Sequence, residues 1–198
     1  IRDAYIASHD YAHKIWRSEN YRHTSAEERL NYILERLSVK LSGNLKDAIL
    51  EGFVEPVIND PPPLIEGARE TIASLSQRYK MGVISDTGIT LGKVLRKVLA
   101  NYQVLGFFEA TVFSDEVGYS KPHSLMFQTA LKRLKVEPSE TVHVGDLLHT
   151  DIAGAKAIGM KTAWLNRKGT PNTGPHKPDC EIKTLPELIS VLKNCNFL

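Results

Sequence analysis

The chain has 198 residues, a hydrophobic fraction of 42%, a charged fraction of 24% and a formal net charge of +2. This composition is typical of a globular protein with one sizeable core and room for a small satellite domain. The small net charge, with its signs interleaved, gives no reason to expect nucleic acid or anionic lipid as a partner, and no apolar run approaches transmembrane length.

The first part of the chain, residues 1–58, predicts helices only. After a capping signal, Leu30, Ile33 and Leu34 recur at helical spacing, and no strand pattern interrupts the region. The capping signal is ambiguous because two boxes overlap, Thr24 with Glu27 and Ser25 with Glu28. Residues 1–58 therefore read as a small helical module.

The segment Asn59-Asp60-Pro61-Pro62-Pro63 is the clearest boundary in the sequence. Three consecutive prolines cannot continue a helix and hold the chain extended. We predict a hinge between two domains, residues 1–60 and 61–198. A rigid surface loop is the alternative.

Beyond the prolines, short apolar strands alternate with amphipathic helices. The predicted strands are 81–85, 110–113, 141–144, 161–165 and, at an edge, 180–182, and the predicted helices are 67–79, 89–99, one with Pro122 in its first turn, 151–158 and one opening with a capping box at 184–187. Such alternation predicts a parallel sheet covered on both faces. The fold class is thus α/β, a doubly wound parallel-sheet core with a small all-helical domain.

The stretch 141–151 contains the strongest chemical signal. A β-branched strand ends in Gly145-Asp146, and Asp151 opens a short helix that Gly159 closes. The strand delivers Asp146 to the carboxyl edge of the sheet, where α/β folds bind their ligands. Two neighbouring carboxylates repel each other unless a cation lies between them, and hard oxygen ligands suit Mg²⁺. The alternative is a turn Asp followed by an N-capping Asp.

Two further elements point to phosphate. The strand that ends at Ser85 is followed by Asp86, whose backbone N–H can join the Ser85 hydroxyl in a cradle for phosphate oxygens. Lys121 directly precedes Pro122, which restricts the backbone near the sheet edge and lets the ammonium balance clustered negative charge. Taken singly, an ordinary helix-capping turn and a solvated surface lysine explain these residues.

The order of the three elements resembles the haloacid dehalogenase (HAD) superfamily over nearly the whole chain. Ser85 looks like that family's second motif, Lys121 like its third, and Asp146 with Asp151 like its fourth. Residues 1–60 would be the helical cap that some members insert after the first motif.

The resemblance implies a Mg²⁺-dependent phosphatase that acts through an aspartyl-phosphate intermediate. Ser85, Asp86 and Lys121 would bind the phosphoryl group, Ser85 and Lys121 would assist catalysis, and Asp146 and Asp151 would hold the metal. The partner would be a small phosphorylated metabolite, phosphoglycolate- or sugar-phosphate-like, and the protein a cytoplasmic monomer or homodimer. The cap candidates for substrate contact are His9, His13, Trp16, Arg17, Arg22 and His23.

One departure from the family is plain: no Asp-x-Asp, the first motif with the nucleophile, occurs in the chain. Its strand should lie in the middle of the sheet, between the strands that end at Ser85 and Asp146. We expect these residues to be part of a longer protein, and expect them to be inactive alone.

Two kinds of alternative remain open. One is a different reaction on the same scaffold, either dehalogenation of a haloacid or phosphoryl migration within a phosphosugar. The other is a catalytically inactive binding module that keeps the fold without the nucleophile.

Overall fold

The computed structural model describes residues 1–53 and 55–194; Cys195, one of the two cysteines, lies outside them. Helices occupy the first part of the chain, and the remainder alternates between strands and helices. Within the described residues, no helix combines the length and the hydropathy needed to span a bilayer.

The helical module consists of α1 (Arg2–Ser18), α2 (Ala26–Arg36), α3 (Gly43–Gly52) and α4 (Glu55–Asn59). At the start of α2 the structure selects one of the two overlapping capping boxes. Ser25 Oγ accepts a hydrogen bond from the Glu28 N–H, and the Glu28 carboxylate accepts one from the Ser25 N–H. Thr24 is therefore not the cap, and its buried hydroxyl has no hydrogen-bond partner among the described residues.

The second part is the predicted α/β core. Its strands are β1 (Gly82–Ser85), β2 (Ala110–Phe113), β3 (Val142–Gly145), β4 (Lys161–Leu165) and β5 (Cys180–Ile182). Its helices are α5 (Ala68–Ser76), α6 (Gly92–Asn101), α7 (Ser114–Val117), α8 (Ser124–Leu134), α9 (Ala153–Ala157) and α10 (Glu187–Asn194). All strand pairs are parallel, which confirms the predicted fold class.

The strands form two separate sheets. β1 pairs with β2, and β3 pairs with β4, which pairs with β5. Among the described residues, no ladder joins β1 to β3. A cavity of about 1150 Å³ lies between these two strands, lined by Gly82–Ile84 on one side and by Val142–Asp146 on the other.

The hydrophobic core is divided in the same way. One cluster packs around β2, α8 and α9 and contains the fully buried Val112, Met126 and Phe127. The other packs around β4 and β5, with Leu75 and Leu188 supplied by the flanking helices. Each sheet thus has its own apolar support on either side of the cavity.

Two predicted helix starts are wrong. Pro122 does not lie in the first turn of a helix, because α8 begins at Ser124 with His123 as its N-cap. Asp151 does not open a helix either: it lies inside a π-helical turn, Leu148–Ile152, in which the Ile152 N–H donates to the Leu147 carbonyl. Gly159 has the left-handed conformation expected beyond the end of α9, with φ of 89°.

The helical module contacts the core through the segment that leads into α2. The His23 N–H donates to the Gly118 carbonyl, and the Ser120 N–H donates to the Tyr21 carbonyl. These bonds flank a short antiparallel bridge and hold the chain immediately before Lys121. The Trp16 indole N–H adds a bond to the Lys121 carbonyl.

Candidate active site

Lys121 connects the ends of the two sheets. Its Nζ donates to the Ile84 carbonyl near the end of β1 at 3.3 Å and to Asp151 Oδ1 at 2.6 Å. Its backbone N–H donates to Asp86 Oδ1 at 2.8 Å. The structure therefore brings together Asp86, Lys121 and Asp151, three of the predicted site residues, at the carboxyl edge of the core.

Ser85 ends β1 as predicted. Its hydroxyl donates to the Asp86 carbonyl at 3.2 Å, a weak local bond that a stronger acceptor can replace. Ser85 is half-buried, whereas Asp86 and Gly88 are exposed. The loop after β1 thus presents hydroxyl and backbone groups beside the Lys121 ammonium.

Both oxygens of the Asp151 carboxylate are engaged by the chain itself. Oδ1 pairs with Lys121, and Oδ2 accepts the Leu147 N–H at 3.0 Å. Burial alone would raise the pKa of Asp151, but the contact with His143 Nε2 at 3.5 Å and the Lys121 charge outweigh it, so that this pKa lies well below its usual range. Asp151 is a buried anion that holds Lys121 in place.

Asp146 differs from Asp151 in its surroundings. It directly follows β3 and is exposed, and its backbone carbonyl accepts the Trp164 indole N–H at 3.0 Å. In the described part of the chain its carboxylate has no hydrogen-bond or ion-pair partner. The Asp146 carboxylate is consequently available to a ligand.

The donor chemistry fits a hard divalent cation at Asp146 better than at Asp151. A carboxylate in contact with water is a typical Mg²⁺ ligand, whereas Asp151 would have to release Lys121 or the Leu147 N–H. No group of three or more potential metal-ligating side chains occurs within residues 1–53 and 55–194. The two residues predicted to share a cation thus differ: the Asp146 carboxylate is exposed, whereas the Asp151 carboxylate is bound to Lys121 and to the Leu147 N–H.

A polar network beside the β1 loop escaped the sequence analysis. The Thr87 N–H donates to Ser114 Oγ at 2.7 Å, and Ser114 Oγ lies 3.1 Å from His23 Nδ1. Asp115 accepts hydrogen bonds from the Thr87 hydroxyl and the Gly92 N–H. Ser114 and Asp115 directly follow a buried strand, the same signal that identified Ser85 and Asp86, and this signal could have found them.

The predicted cap residues do not lie in one place. His9 is exposed on α1 and makes an edge-to-face contact with the Tyr5 ring. Trp16 and His23 contact the core beside the site, as described above. His13 and Arg17 line a different depression on the surface of α1, and Arg22 is occupied by ion pairs with Glu19 and Glu28. A residue that was not predicted, Arg29, is almost fully buried close to Gly88.

Comparison with known proteins agrees with this arrangement. The sequence model described as haloacid dehalogenase-like hydrolase matches residues 5–165. A glyceraldehyde 3-phosphate phosphatase from Pyrococcus furiosus is 38% identical over 136 residues, which are 67% of this chain and 55% of the relative. The chain therefore spans only about half the length of this curated relative.

Two solved structures extend the likeness to the fold. A HAD phosphatase from Thermococcus onnurineus is 29% identical with a TM-score of 0.65, covering 92% of this chain and 80% of its own. A 2-haloacid dehalogenase from Pseudomonas syringae is 26% identical with a TM-score of 0.69, covering 86% of this chain and 70% of its own. On the family match and these likenesses, the chain belongs to the haloacid dehalogenase-like hydrolases.

Proposed function

We propose that this protein is a Mg²⁺-dependent phosphatase that hydrolyses a small phosphomonoester through an aspartyl-phosphate intermediate. The observation that carries the proposal is the Lys121–Asp151 pair at the carboxyl edge of the core, with the loop after β1 on one side and the exposed Asp146 on the other. The phosphatase names of the Pyrococcus and Thermococcus relatives support the choice of reaction.

Three groups would bind the phosphoryl oxygens. The Ser85 hydroxyl and the Asp86 backbone N–H would donate hydrogen bonds, and the Lys121 ammonium would supply positive charge. Asp151 and the Ile84 carbonyl accept two of the three donors on Lys121 Nζ, so the third can bind a phosphoryl oxygen while both bonds persist. Lys121 would also offset the repulsion between a carboxylate nucleophile and the phosphate.

The cavity between β1 and β3 is where we place the nucleophile. Both strands present an unpaired edge to it, and one extended segment there would pair with both and join the two sheets. An aspartate at the carboxyl end of that segment would lie beside Ser85, Lys121 and Asp146. Its carboxylate oxygen would form a bond to phosphorus as the bond from phosphorus to the ester oxygen breaks, and the ester oxygen would take a proton from water. A second water would then cleave the acyl phosphate, which releases inorganic phosphate and restores the aspartate.

Asp146 would hold the metal, with Asp151 positioning Lys121 at its side. When bound, Mg²⁺ supplies positive charge that stabilises the anionic phosphoryl group. Asp151 comes into direct contact with the ion only if its bond to Lys121 or to the Leu147 N–H is exchanged.

Dehalogenation is the second candidate, because the Pseudomonas syringae dehalogenase shares the fold at 26% identity. That reaction needs no divalent cation, whereas an exposed Asp146 at the same edge as Lys121 favours metal and phosphate. A phosphosugar mutase and an inactive binding module would keep the same site. We also propose that the protein is a cytoplasmic monomer or homodimer.

Turnover of p-nitrophenyl phosphate by the protein produced from its full gene tests the function. We expect hydrolysis that requires Mg²⁺ and is abolished by EDTA, and we expect Asp146→Asn to lower kcat/KM by about a hundredfold or more. Asp47→Asn, which changes an exposed Asp on α3, is the matched control and should retain wild-type activity. Full activity of Asp146→Asn would refute the metal assignment, and release of halide from a haloacid without phosphatase activity would favour the dehalogenase.

A further inference from the structure

Arg29 is a buried cation without a counter-ion. It lies on α2 at 5% exposure, yet it forms no ion pair with any carboxylate of the described residues. Arg22 and Arg96, which are less buried, both pair with glutamates. Burial lowers the pKa of the Arg29 guanidinium, but an arginine keeps its charge, so an uncompensated positive charge remains inside the protein.

The Arg29 side chain donates a single hydrogen bond to the described residues. One bond, from Nη2 to Ser8 Oγ at 3.1 Å, anchors the guanidinium to α1. Nε is buried without an acceptor in the described part of the chain. Nη1 lies 3.7 Å from the position that a Cβ on Gly88 would occupy, and this places it against the loop that follows Ser85 and Asp86.

His23 provides a second unpartnered donor or acceptor in the same region. Its Nδ1 is held by Ser114, the residue that also accepts the Thr87 N–H, while its Nε2 is buried with no partner among the described residues. If the Ser114 hydroxyl donates to Nδ1, the proton of the neutral ring lies on Nε2 and is available to an acceptor. The Thr24 hydroxyl, one residue further along, is buried and unpartnered as well.

Leaving these groups unsatisfied costs free energy that a bound anion would recover. Unpaired polar groups are rare in folded proteins because each loses its hydrogen bonds to water, and a lone guanidinium loses more. Three such groups occur within the seven residues from His23 to Arg29, and two of them border the loop that follows β1. A guanidinium and an imidazole next to a phosphate loop are suited to a carboxylate or a second phosphate.

We propose that Arg29 and His23 form an anion subsite in the helical module, which recognises a second negatively charged group on the phosphorylated substrate. This inference rests on the proposed phosphatase function and narrows it to substrates that carry two anionic groups. The transferred phosphoryl group binds at Ser85 and Lys121, and the second anion, a carboxylate or a phosphate, binds at Arg29. Arg29 is then a specificity residue that contacts the part of the substrate that does not react.

Three compounds that differ in the second group test the subsite. Glyceraldehyde 3-phosphate ends in a neutral aldehyde, 3-phosphoglycerate replaces it with a carboxylate, and pyrophosphate carries a second phosphate. For the protein from its full gene, we expect kcat/KM for one of the two compounds with two anionic groups to exceed that for glyceraldehyde 3-phosphate at least about tenfold. A preference for 3-phosphoglycerate identifies a carboxylate, and a preference for pyrophosphate identifies a phosphate. No preference for either overturns the proposal.

The variant Arg29→Met removes the charge and keeps much of the side-chain volume. The preference is the ratio of kcat/KM for the better of 3-phosphoglycerate and pyrophosphate to kcat/KM for glyceraldehyde 3-phosphate. We expect Arg29→Met to reduce this ratio about tenfold or more, and Arg29→Lys to reduce it less. Arg36→Met, which changes an exposed arginine on the same helix, is the matched control and should leave the ratio unchanged. An equal loss for all three compounds would mean that Arg29 is only structural, and an unchanged ratio would also overturn the subsite.

A binding experiment separates this inference from the proposed function. Calorimetric titration of 3-phosphoglycerate, pyrophosphate and glyceraldehyde 3-phosphate, with EDTA present, measures affinity in the absence of turnover. If no phosphomonoester is hydrolysed but a compound with two anionic groups binds more tightly than glyceraldehyde 3-phosphate and loses this advantage in Arg29→Met, the phosphatase proposal fails and the anion subsite stands. If Arg29→Met does not fold, as judged by its thermal melt, the comparison of wild type with Arg29→Lys decides.

Discussion

Asp151 is the residue on which the geometry of the site depends, because it holds Lys121 with one oxygen and the Leu147 N–H with the other. Its side chain is 4% exposed and that of Lys121 is 13% exposed, so both charges have left bulk water. Removing one partner of such a pair is far more costly than removing both, since the remaining charge stays buried without compensation.

We therefore expect Asp151→Asn to lower the free energy of unfolding by about 3 kcal/mol. Lys121→Met should have a similar effect, and the double variant should be destabilised by clearly less than the sum of the two. Equilibrium urea unfolding of the four proteins in this double-mutant cycle gives the coupling free energy. The pair Lys156–Asp179, which is more exposed, is the matched control and should give a coupling below about 1 kcal/mol. Equal couplings in the two cycles would contradict this account of Asp151.

At the residue scale, the sequence predicted residues that lie together in the structure, but it did not predict the contacts between them. Local sequence patterns, namely strand ends and a Lys-Pro pair, were enough to identify Ser85, Asp86, Lys121 and Asp151. The ion pair between Lys121 and Asp151 forms because two loops that are distant in the sequence approach each other, and spacing along the chain does not predict this approach. Arg29 could have been found, because it occupies the buried stripe of α2 with Ala26, Leu30 and Ile33.

At the scale of elements, the turn between β3 and α9 sets the position of Asp151. Its π-helical geometry places Asp151 one turn inside the element, so that the side chain folds back onto the Leu147 N–H. Gly145, at the end of β3, makes this close approach possible, because a Cβ there would overlap the Cβ and carboxylate carbon of Asp151. The sequence predicted an ordinary helix start here, since a π turn has no distinctive residue pattern.

Gly145→Ala should therefore disrupt the site from the backbone. We expect the free energy of unfolding to fall by about 1–3 kcal/mol, as for other overpacked positions, together with a large loss of phosphatase activity. Differential scanning calorimetry and p-nitrophenyl phosphate turnover measure the two effects.

Gly52→Ala is the control for this substitution. Gly52 ends α3, and a Cβ at this position would meet nothing within 4 Å. Because alanine is the better helix former, the change should leave stability unaltered or raise it by up to about 1 kcal/mol. A Gly145→Ala protein as stable and active as Gly52→Ala would show that the contact with Asp151 is dispensable.

At the scale of the whole molecule, the main feature is that the strands form two sheets, β1-β2 and β3-β4-β5. The sequence predicted the five strands and their parallel pairing because each strand has a local apolar pattern. It also indicated the place where a strand would be missing, between the strands that end at Ser85 and Asp146. The separation into two sheets with their own apolar clusters, and the cavity between them, is a property of tertiary packing. The edges of β1 and β3 that face the cavity have no strand partner among the described residues, and this favours an extended segment in the cavity.

Hydrogen exchange tests whether such a segment is present in the protein produced from its full gene. Amides of β1 and β3 that face the cavity are paired only if a strand lies between them, whereas β4 is paired on both sides in either case. We expect the cavity-facing amides of residues 82–85 and 142–145 to exchange about tenfold or more slowly in the full gene product than in the 198-residue polypeptide produced alone. Residues 161–165 should exchange at similar rates in both. Equal, fast exchange of β1 and β3 in the two proteins would mean that the cavity stays open, and the nucleophile would then have to come from elsewhere.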